Sequence, residues 1–197
     1  MAHFGEFSAM SFLSRAELEA LPFASLGQEV YISSKASLYG VEYMHIGNRV
    51  RIDDFCLLSV GPEGLYIGDW VHVSAYALLV GRARITLGDF VNIGARTAVY
   101  TNSDDFSGAS LTNPLVHEAY KQVTYAPVTL EKHALVATQC TLLPGVVMQE
   151  GAALGAHSLA KGELERFWIY GGVPARKLKP RKEDLLALEK QLRGEQK

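Results

Sequence analysis

The sequence predicts an all-β solenoid, a parallel β-helix, with a short N-terminal helix, one long inserted loop and a C-terminal helix. The first supporting observation is a six-residue beat running from Leu26 to Ala160. Its first positions are Leu26, Ile32, Leu38, Ile46, Ile52, Leu58, Ile67, Val73, Leu79, Leu87, Ile93, Val99, Leu130, Val136, Leu142, Met148, Leu154 and Ala160, of which 17 of 18 are Ile, Leu, Val or Met. The second is a small or β-branched residue four positions later, as at Val30, Val50, Cys56, Val71, Ala77, Thr97, Cys140 and Ser158. The third is glycine directly after the first position at Gly27, Gly47, Gly68, Gly88, Gly94 and Gly155. A period of six fits neither an amphipathic helix nor an alternating strand. Six residues make one short strand and one corner, so three units close a triangular coil. Coils then stack at roughly the 4.7–4.9 Å inter-strand spacing, stabilised by their neighbours and needing caps. Glycine is expected to relieve the backbone at the corners.

Taken in order, residues 1–25 read as an N-terminal cap. Ser14-Arg-Ala-Glu17 is a capping box opening a helix to about Ala20, stopped by Pro22. Leu21 and Phe23 are expected to plug the open end, because an uncovered β-helix terminus is an unpaired edge. The solenoid is assigned to 26–168. Its coils begin at Leu26, Ile46, Ile67 and Leu87, spaced 20, 21 and 20 residues, so small bulges decorate one edge. Leu130 follows Leu87 by 43 residues, which places an insertion at 101–126. Loops of that length inside compact domains are usually functional or disordered; aromatics and turn residues mark this one as ordered. The coils after Leu130 are regular. An extension at 169–197 carries Gly171-Gly-Val-Pro174-Ala-Arg176-Lys-Leu-Lys179, then a helix over Glu183 to Arg193 with Leu185, Leu188 and Leu192 on one face.

Composition narrows the function classes. The net charge of −2 conceals an uneven spread: from Lys161 onward ten Lys and Arg face six Asp and Glu, a surplus of +4, leaving −6 on the remainder. A basic end on an acidic body suggests an anionic ligand there. Basic runs interleaved with aromatics are absent, which argues against nucleic acid. No apolar run approaches the roughly 18 residues of a membrane span, and no signal-like N-terminus is present. Cys56 and Cys140 fall on inward slots and read as core thiols in a reducing cytoplasm.

The hexapeptide beat, the long loop after the fourth coil and the segment Gly-Gly-Val-Pro-Ala-Arg-Lys-Leu after the last coil together resemble the left-handed β-helix (hexapeptide-repeat) acyltransferases. The resemblance covers nearly the whole chain. The phrases Trp70-Val-His72-Val-Ser-Ala-Tyr, Ser103-Asp-Asp-Phe-Ser-Gly108 and Leu111-Thr-Asn-Pro114 are similar to the sugar acetyltransferases of polysaccharide biosynthesis. Left-handed winding is itself implied only by the resemblance. So are a homotrimer with active sites between subunits, acetyl-CoA as co-substrate along the last coils, and a sugar or nucleotide-linked (amino) sugar as acceptor. On this basis Ala137, Ala156 and Ser158 border the pantetheine groove, and Lys161, Arg176, Lys177 and Lys179 meet the CoA phosphates.

Acetyl transfer to a hydroxyl needs a base and an oxyanion donor. Galactoside-type members carry the catalytic histidine in the loop as a His-Pro pair; here the pair reads Asn113-Pro114. His72, at the last slot of its hexapeptide, and His117, four residues beyond Asn113, are therefore the candidate bases. Asp104, Asp105 and Asn113 are candidates to hold sugar hydroxyls, the aspartates also to orient an imidazole. His133 and His157 are expected to border the CoA groove. An amine acceptor lessens the need for a base, since a neutral amine attacks a thioester once positioned. Three rivals stand beside this reading. A γ-carbonic-anhydrase-like metalloenzyme lacks its His-x4-His pair here, so no metal is expected. A non-catalytic β-helix scaffold would not need the ordered loop or the basic exit. A xenobiotic or antibiotic O-acetyltransferase would carry its histidine where this chain has Asn102-Ser-Asp-Asp.

Overall fold

A computed structural model describes residues 12–194. Each hexapeptide supplies a strand of two to four residues, and the strands sort by turn into three parallel sheets, the faces of a prism. Face one stacks Ser25–Leu26, Met44–Ile46, Leu65–Ile67, Ile85–Leu87, Val128–Leu130, Val147–Met148 and Glu163–Leu164. Face two stacks Tyr31–Ile32, Arg51–Ile52, His72–Val73, Asn92–Ile93, Leu135–Val136, Ala153–Leu154 and Trp168–Gly171. Face three stacks Ser37–Tyr39, Leu57–Val60, Leu78–Gly81, Ala98–Tyr100, Thr141–Leu142 and Leu159–Ala160.

The register follows the beat. Ile46 pairs with Leu26 and Ile67, and Leu87 pairs with Leu130 despite the 43 residues between them. First-position side chains therefore stack into one interior column, from Ile32 through Ile52, Val73, Ile93 and Val136 to Leu154 on face two, all 0–1% exposed. The beat read from sequence stops at Ala160, but the structure adds another rung: Leu164 pairs with Met148, and Tyr170 with Leu154. A 16-residue spacing and an aromatic at the inward slot hide this rung. Tyr170 is buried at the top of the column, and its hydroxyl accepts from the Glu165 N–H.

At the other end, α1 (Arg15–Ala20) forms through the expected capping box: Ser14 Oγ accepts from Glu17 N, and Glu17 Oε2 accepts from Ser14 N at 2.7 Å. The plug differs from the expectation. Leu18 is the buried residue of α1, with Leu13 and Phe23 packed against the core, while Leu21 stays half-buried at the C-cap.

Corners correct a second expectation. The repeated glycines do not hold the left-handed torsions; bulky residues do, with φ near 60° at Arg49, Phe55, Trp70, Tyr76, Phe90 and Arg96. Glycine is required for closeness instead. A Cβ on Gly47 would lie 2.6 Å from the Gly68 carbonyl oxygen, and one on Gly94 2.5 Å from the Ala137 carbonyl carbon. Positive φ costs about 1–2 kcal/mol at a non-glycine residue. Stacking along the edge offsets it. Along the first corner, between faces one and two, the Arg49 guanidinium lies 4.3 Å from the Trp70 ring centre, Trp70 stacks on Phe90 at 5.8 Å, and Phe90 on His133 at 4.9 Å.

Between 101 and 126 the chain leaves face three as an ordered arm. Its stem pairs Asn102–Ser103 antiparallel with Thr124–Tyr125, and the Arg82 guanidinium lies over the Tyr125 ring. After Trp168–Gly171 the chain reverses, and Arg176–Pro180 pairs antiparallel to it, closing the edge of face two. Then α2 (Leu185–Gly194) docks on the first corner. Of the three leucines expected on one face, Leu185 and Leu192 are half-buried but Leu188 is 61% exposed, and the buried residue is Glu189. Glu189 accepts from Lys132 Nζ at 2.7 Å, His133 Nε2 at 2.8 Å and Arg193 Nε at 2.6 Å. Burial by itself would raise its pKa, but these three donors outweigh it and hold the carboxyl at about 2. His133 thus lies beneath α2, engaged with Glu189.

A folded pKa below the free value of 4.5 stabilises the docked state above that value and loses the contribution as pH falls towards 2. The protection factors of the amides over 185–194, taken against the unprotected rate at each pH, are expected to fall on acidification between pH 4.5 and 2. In Glu189→Gln they are expected to be low already at neutral pH and flat across that window.

Candidate active site

Register places one polar constellation on the outer surface of face two. The residue before each inward aliphatic points outward, so Arg51, His72 and Asn92 form neighbouring rungs. Asp53, just after the inward Ile52, turns its carboxylate towards them. His72 Nε2 lies 2.8 Å from Asp53 Oδ2, and Arg51 Nε donates to Asp53 Oδ1 at 2.6 Å. Asp53 is largely enclosed, its side chain 18% exposed, whereas that of His72 is 41% exposed. A carboxylate only accepts hydrogen bonds. Nε2 therefore carries the proton, and Nδ1 is left as the acceptor, in the orientation required of a general base.

Above this pair the equivalent slots hold small residues. Asp53, Ser74, Gly94, Ala137, Gly155 and Gly171 succeed one another up the prism, by the pairing of Ile52, Val73, Ile93, Val136, Leu154 and Tyr170. The column ends at the reversing strand with its basic residues. Lys161 and Lys179 are exposed and have no carboxylate partner among the described residues, and Arg176 makes one 3.4 Å contact to the Ala175 carbonyl. Lys177 is committed elsewhere: Nζ is 2.6 Å from Glu165 Oε2 and 3.8 Å from the Trp168 ring centre. Ala137 is half-buried and Ala156 exposed, both along the second corner, between faces two and three. Ser158 is 2% exposed, and its Oγ accepts from the Gly172 N–H at 2.9 Å, so it braces the turn after the last rung.

The arm's candidates are engaged in building the arm. Asp105 accepts from Ser107 N at 2.8 Å and from Ser110 N and Oγ at 3.0 and 3.1 Å; these bonds, that from Ser107 foremost, hold its carboxyl below the usual range. Asn113, at φ 73°, accepts from Leu115 N at 2.9 Å. His117 Nδ1 accepts from Ala119 N at 3.2 Å, capping the turn Glu118–Tyr120. Asp104 is exposed. No hydrogen bond joins Asp104 or Asp105 to a histidine among the described residues. Within one chain His72 lies on face two, whereas the arm leaves from the end of face three. The sequence reading missed Asp53 and Arg51; aligning Arg51-Ile-Asp53 with His72-Val-Ser74 as successive rungs would have shown them beside the imidazole. No group of three or more His, Cys, Asp or Glu side chains among the described residues is arranged to hold a metal ion.

Such a solenoid is the architecture of the hexapeptide-repeat acyltransferases, and comparison with known proteins agrees on the family. The chain is 38% identical over 180 residues, 91% of its own length and 94% of the relative's, to a dTDP-4-amino-4,6-dideoxy-D-glucose acyltransferase from Escherichia coli. It is 22% identical over 151 residues, 76% of its length and 74% of the relative's, to a putative lipopolysaccharide biosynthesis O-acetyl transferase from E. coli K12. Among solved structures it matches an N-acyltransferase from Bacillus cereus at TM-score 0.91. One variant of that enzyme, 42% identical and matched over 95% of this chain and 99% of that one, is in complex with dTDP-4-amino-4,6-dideoxyglucose and coenzyme A. The same enzyme in complex with dTDP and 3-hydroxybutyryl-CoA is 43% identical, over 94% and 98%. No protein-family model matches. The chain belongs to the hexapeptide-repeat sugar acyltransferases, and it is an acyl-CoA-dependent enzyme.

If Asp53 fixes the imidazole, the ring-nitrogen 15N shifts of His72 are expected to report a single Nε2–H form. Asp53→Asn is expected to give a mixture of tautomers while the circular dichroism of the solenoid stays unchanged. A single unchanged tautomer would remove the role given to Asp53.

Proposed function

We propose that this protein transfers a short acyl group, acetyl in the simplest case, from acyl-CoA to the amino group of a dTDP-linked amino sugar for cell-surface polysaccharide. The observation that carries the reading is the column of small side chains leading from the basic exit strand down to the His72–Asp53 pair. CoA phosphates meet Lys161, Arg176 and Lys179, where guanidinium and ammonium groups complement phosphate. The pantetheine arm descends over Gly155, Ala137 and Gly94, where no bulky side chain opposes it. The thioester arrives beside Ser74 and His72. The relatives described above, which act on or bind dTDP-4-amino-4,6-dideoxyglucose, support an amine acceptor.

The chemistry follows from that placement. An acceptor ammonium first loses a proton to His72 Nδ1, which frees the nitrogen lone pair. The nitrogen attacks the thioester carbonyl, forming a C–N bond and an oxyanion; collapse breaks the C–S bond and expels CoA thiolate. The amide nitrogen sheds its second proton, and the thiolate takes up one, giving neutral amide and CoA thiol. Positioning supplies much of the acceleration for a nucleophile as good as an amine, and base catalysis typically adds about 10²–10⁴-fold.

Assembly as a homotrimer belongs to the same proposal. The arm presents Phe106 and Leu115 at 93% and 96% exposure on a backbone made rigid by Asp105, apolar surface that a neighbouring prism would cover. Asp104, Asn113 and His117 then serve the cleft between copies, as donors and acceptors for sugar hydroxyls. A cytoplasmic setting suits the two free buried thiols, and no helix among the described residues is long and apolar enough to cross a membrane.

The test is CoA release with acetyl-CoA across a panel of dTDP-linked amino sugars, dTDP-linked hydroxyl sugars and free sugars. Turnover is expected on the amino sugars alone, by a protein that light scattering reports as a trimer. Turnover confined to hydroxyl sugars would overturn the assignment. His72→Ala is expected to lower kcat by about 100-fold with little change in KM; an intact kcat would dismiss it as the base. Separately, Arg176→Ala combined with Lys179→Ala is expected to raise the KM for acyl-CoA by about ten-fold and leave the acceptor KM in place.

A further inference from the structure

The N-terminal cap reaches the polar surface of face two, a contact with no part in the transfer described so far. Phe12 pairs antiparallel with Ser33, and the Leu13 N–H donates to the Ile32 carbonyl at 2.9 Å. That bridge sets the Phe12 ring edge-on to Tyr31, with ring centres 6.0 Å apart, and the Arg51 guanidinium lies 5.4 Å from the Phe12 ring centre. Arg51 Nε donates to Asp53 Oδ1 at 2.6 Å, and Asp53 Oδ2 lies 2.8 Å from His72 Nε2. One unbroken run of contacts thus leads from the cap to the imidazole. Its middle members are partly enclosed, the side chains of Arg51 and Asp53 being 31% and 18% exposed.

We propose that Arg51 is a positioning residue for the transfer: steadied by Phe12, it fixes the Asp53 carboxylate and through it the ring of His72. The inference rests on the reading of His72 as the general base. Three observations carry it. A carboxylate on a single methylene turns within a broad torsional well, so Asp53 needs a second partner to keep Oδ2 aimed at Nε2. Arg51 is that partner, because a planar guanidinium on Oδ1 holds the carboxylate plane and leaves Oδ2 to the ring. The neighbouring carboxylate does not compete for it: Asp54 accepts from Lys35 Nζ at 2.8 Å and from Ser33 Oγ at 2.5 Å. The long arginine stem is itself held, since a guanidinium beside an aromatic ring gains from the ring's charge distribution. Ion pairs open to solvent contribute little to folding, so what Arg51 orients accounts for the arrangement better than stability does. The cap thereby belongs to the site as well as to the open end of the solenoid.

Steady-state kinetics of the full-length protein, with acetyl-CoA and a dTDP-linked amino sugar, test the role. Arg51→Met is expected to lower kcat by about ten-fold with both KM values unchanged, and added methylguanidinium to restore part of the rate. Arg51→Lys, which keeps the charge but not the plane, serves if Arg51→Met fails to fold, and is expected to cost about three-fold. Phe12→Leu, which keeps the cap apolar, is expected to lower kcat by about two-fold. In the His72→Ala background Arg51→Met is expected to cost nothing further, because residues acting as a unit are not additive. The ring-nitrogen 15N shifts of His72 in Arg51→Met are expected to show mixed tautomers. A parental kcat and a single tautomer in the Arg51 variants, with His72→Ala still impaired, would overturn the positioning role and leave the base standing. Losses that add in the double variant would overturn it too, giving Arg51 a contact with substrate independent of His72. An intact kcat in His72→Ala would sink the base and its brace together.

Discussion

Each coil of this protein is held by backbone hydrogen bonds to the coil above and below, and those bonds fix which residues lie one over another. Ile52 N–H and its neighbours have no freedom to choose partners once Val73 is in register, because a slip of one residue would turn every inward aliphatic outward. The interior column, the edge ladders and the polar surface of face two are all consequences of that single register. His72 meets Asp53 because two adjacent rungs put their polar side chains on one surface, with no loop needed to bring them together.

The corners show how a regular solenoid absorbs local strain. Left-handed torsions recur at bulky residues, and stacking along the edge compensates them: a cation–aromatic–aromatic–imidazole run on the first corner, a cation–aromatic–aromatic–cation run on the second. The two runs have different fates. The first is covered by α2, whose Glu189 draws Lys132, His133 and Arg193 into one cluster. The second remains open to solvent, on the side where the small-residue column also runs.

The charge asymmetry has a local explanation as well. The surplus positive charge of the C-terminal third is not spread evenly over the surface. Arg166, Lys177 and Arg193 are spent on carboxylates of the scaffold, and Arg181 is buried enough to lower its pKa while it donates to the His133 and Gly151 carbonyls. Lys161, Arg176 and Lys179 are left facing solvent beside the last rungs.

Most of the fold was legible in the sequence, because a hexapeptide beat repeats one local solution and each repeat confirms the last. The coil starts at Leu26, Ile46, Ile67, Leu87, Leu130 and Met148, the ordered arm and the capping box could all be placed from residue type and spacing. His72 could be picked out as an outward histidine on the same grounds. What sequence could not supply was whatever depends on neighbours distant along the chain: Asp53 and Arg51 as partners of His72, Glu189 rather than Leu188 as the docked residue of α2, Ser158 as a brace, the added rung closed by Tyr170, and glycines kept for backbone proximity rather than torsion. Periodicity is a property of the chain and survives in one dimension, whereas a hydrogen bond between coils is decided by the twenty or more residues of each turn adding up to bring two side chains within 3 Å.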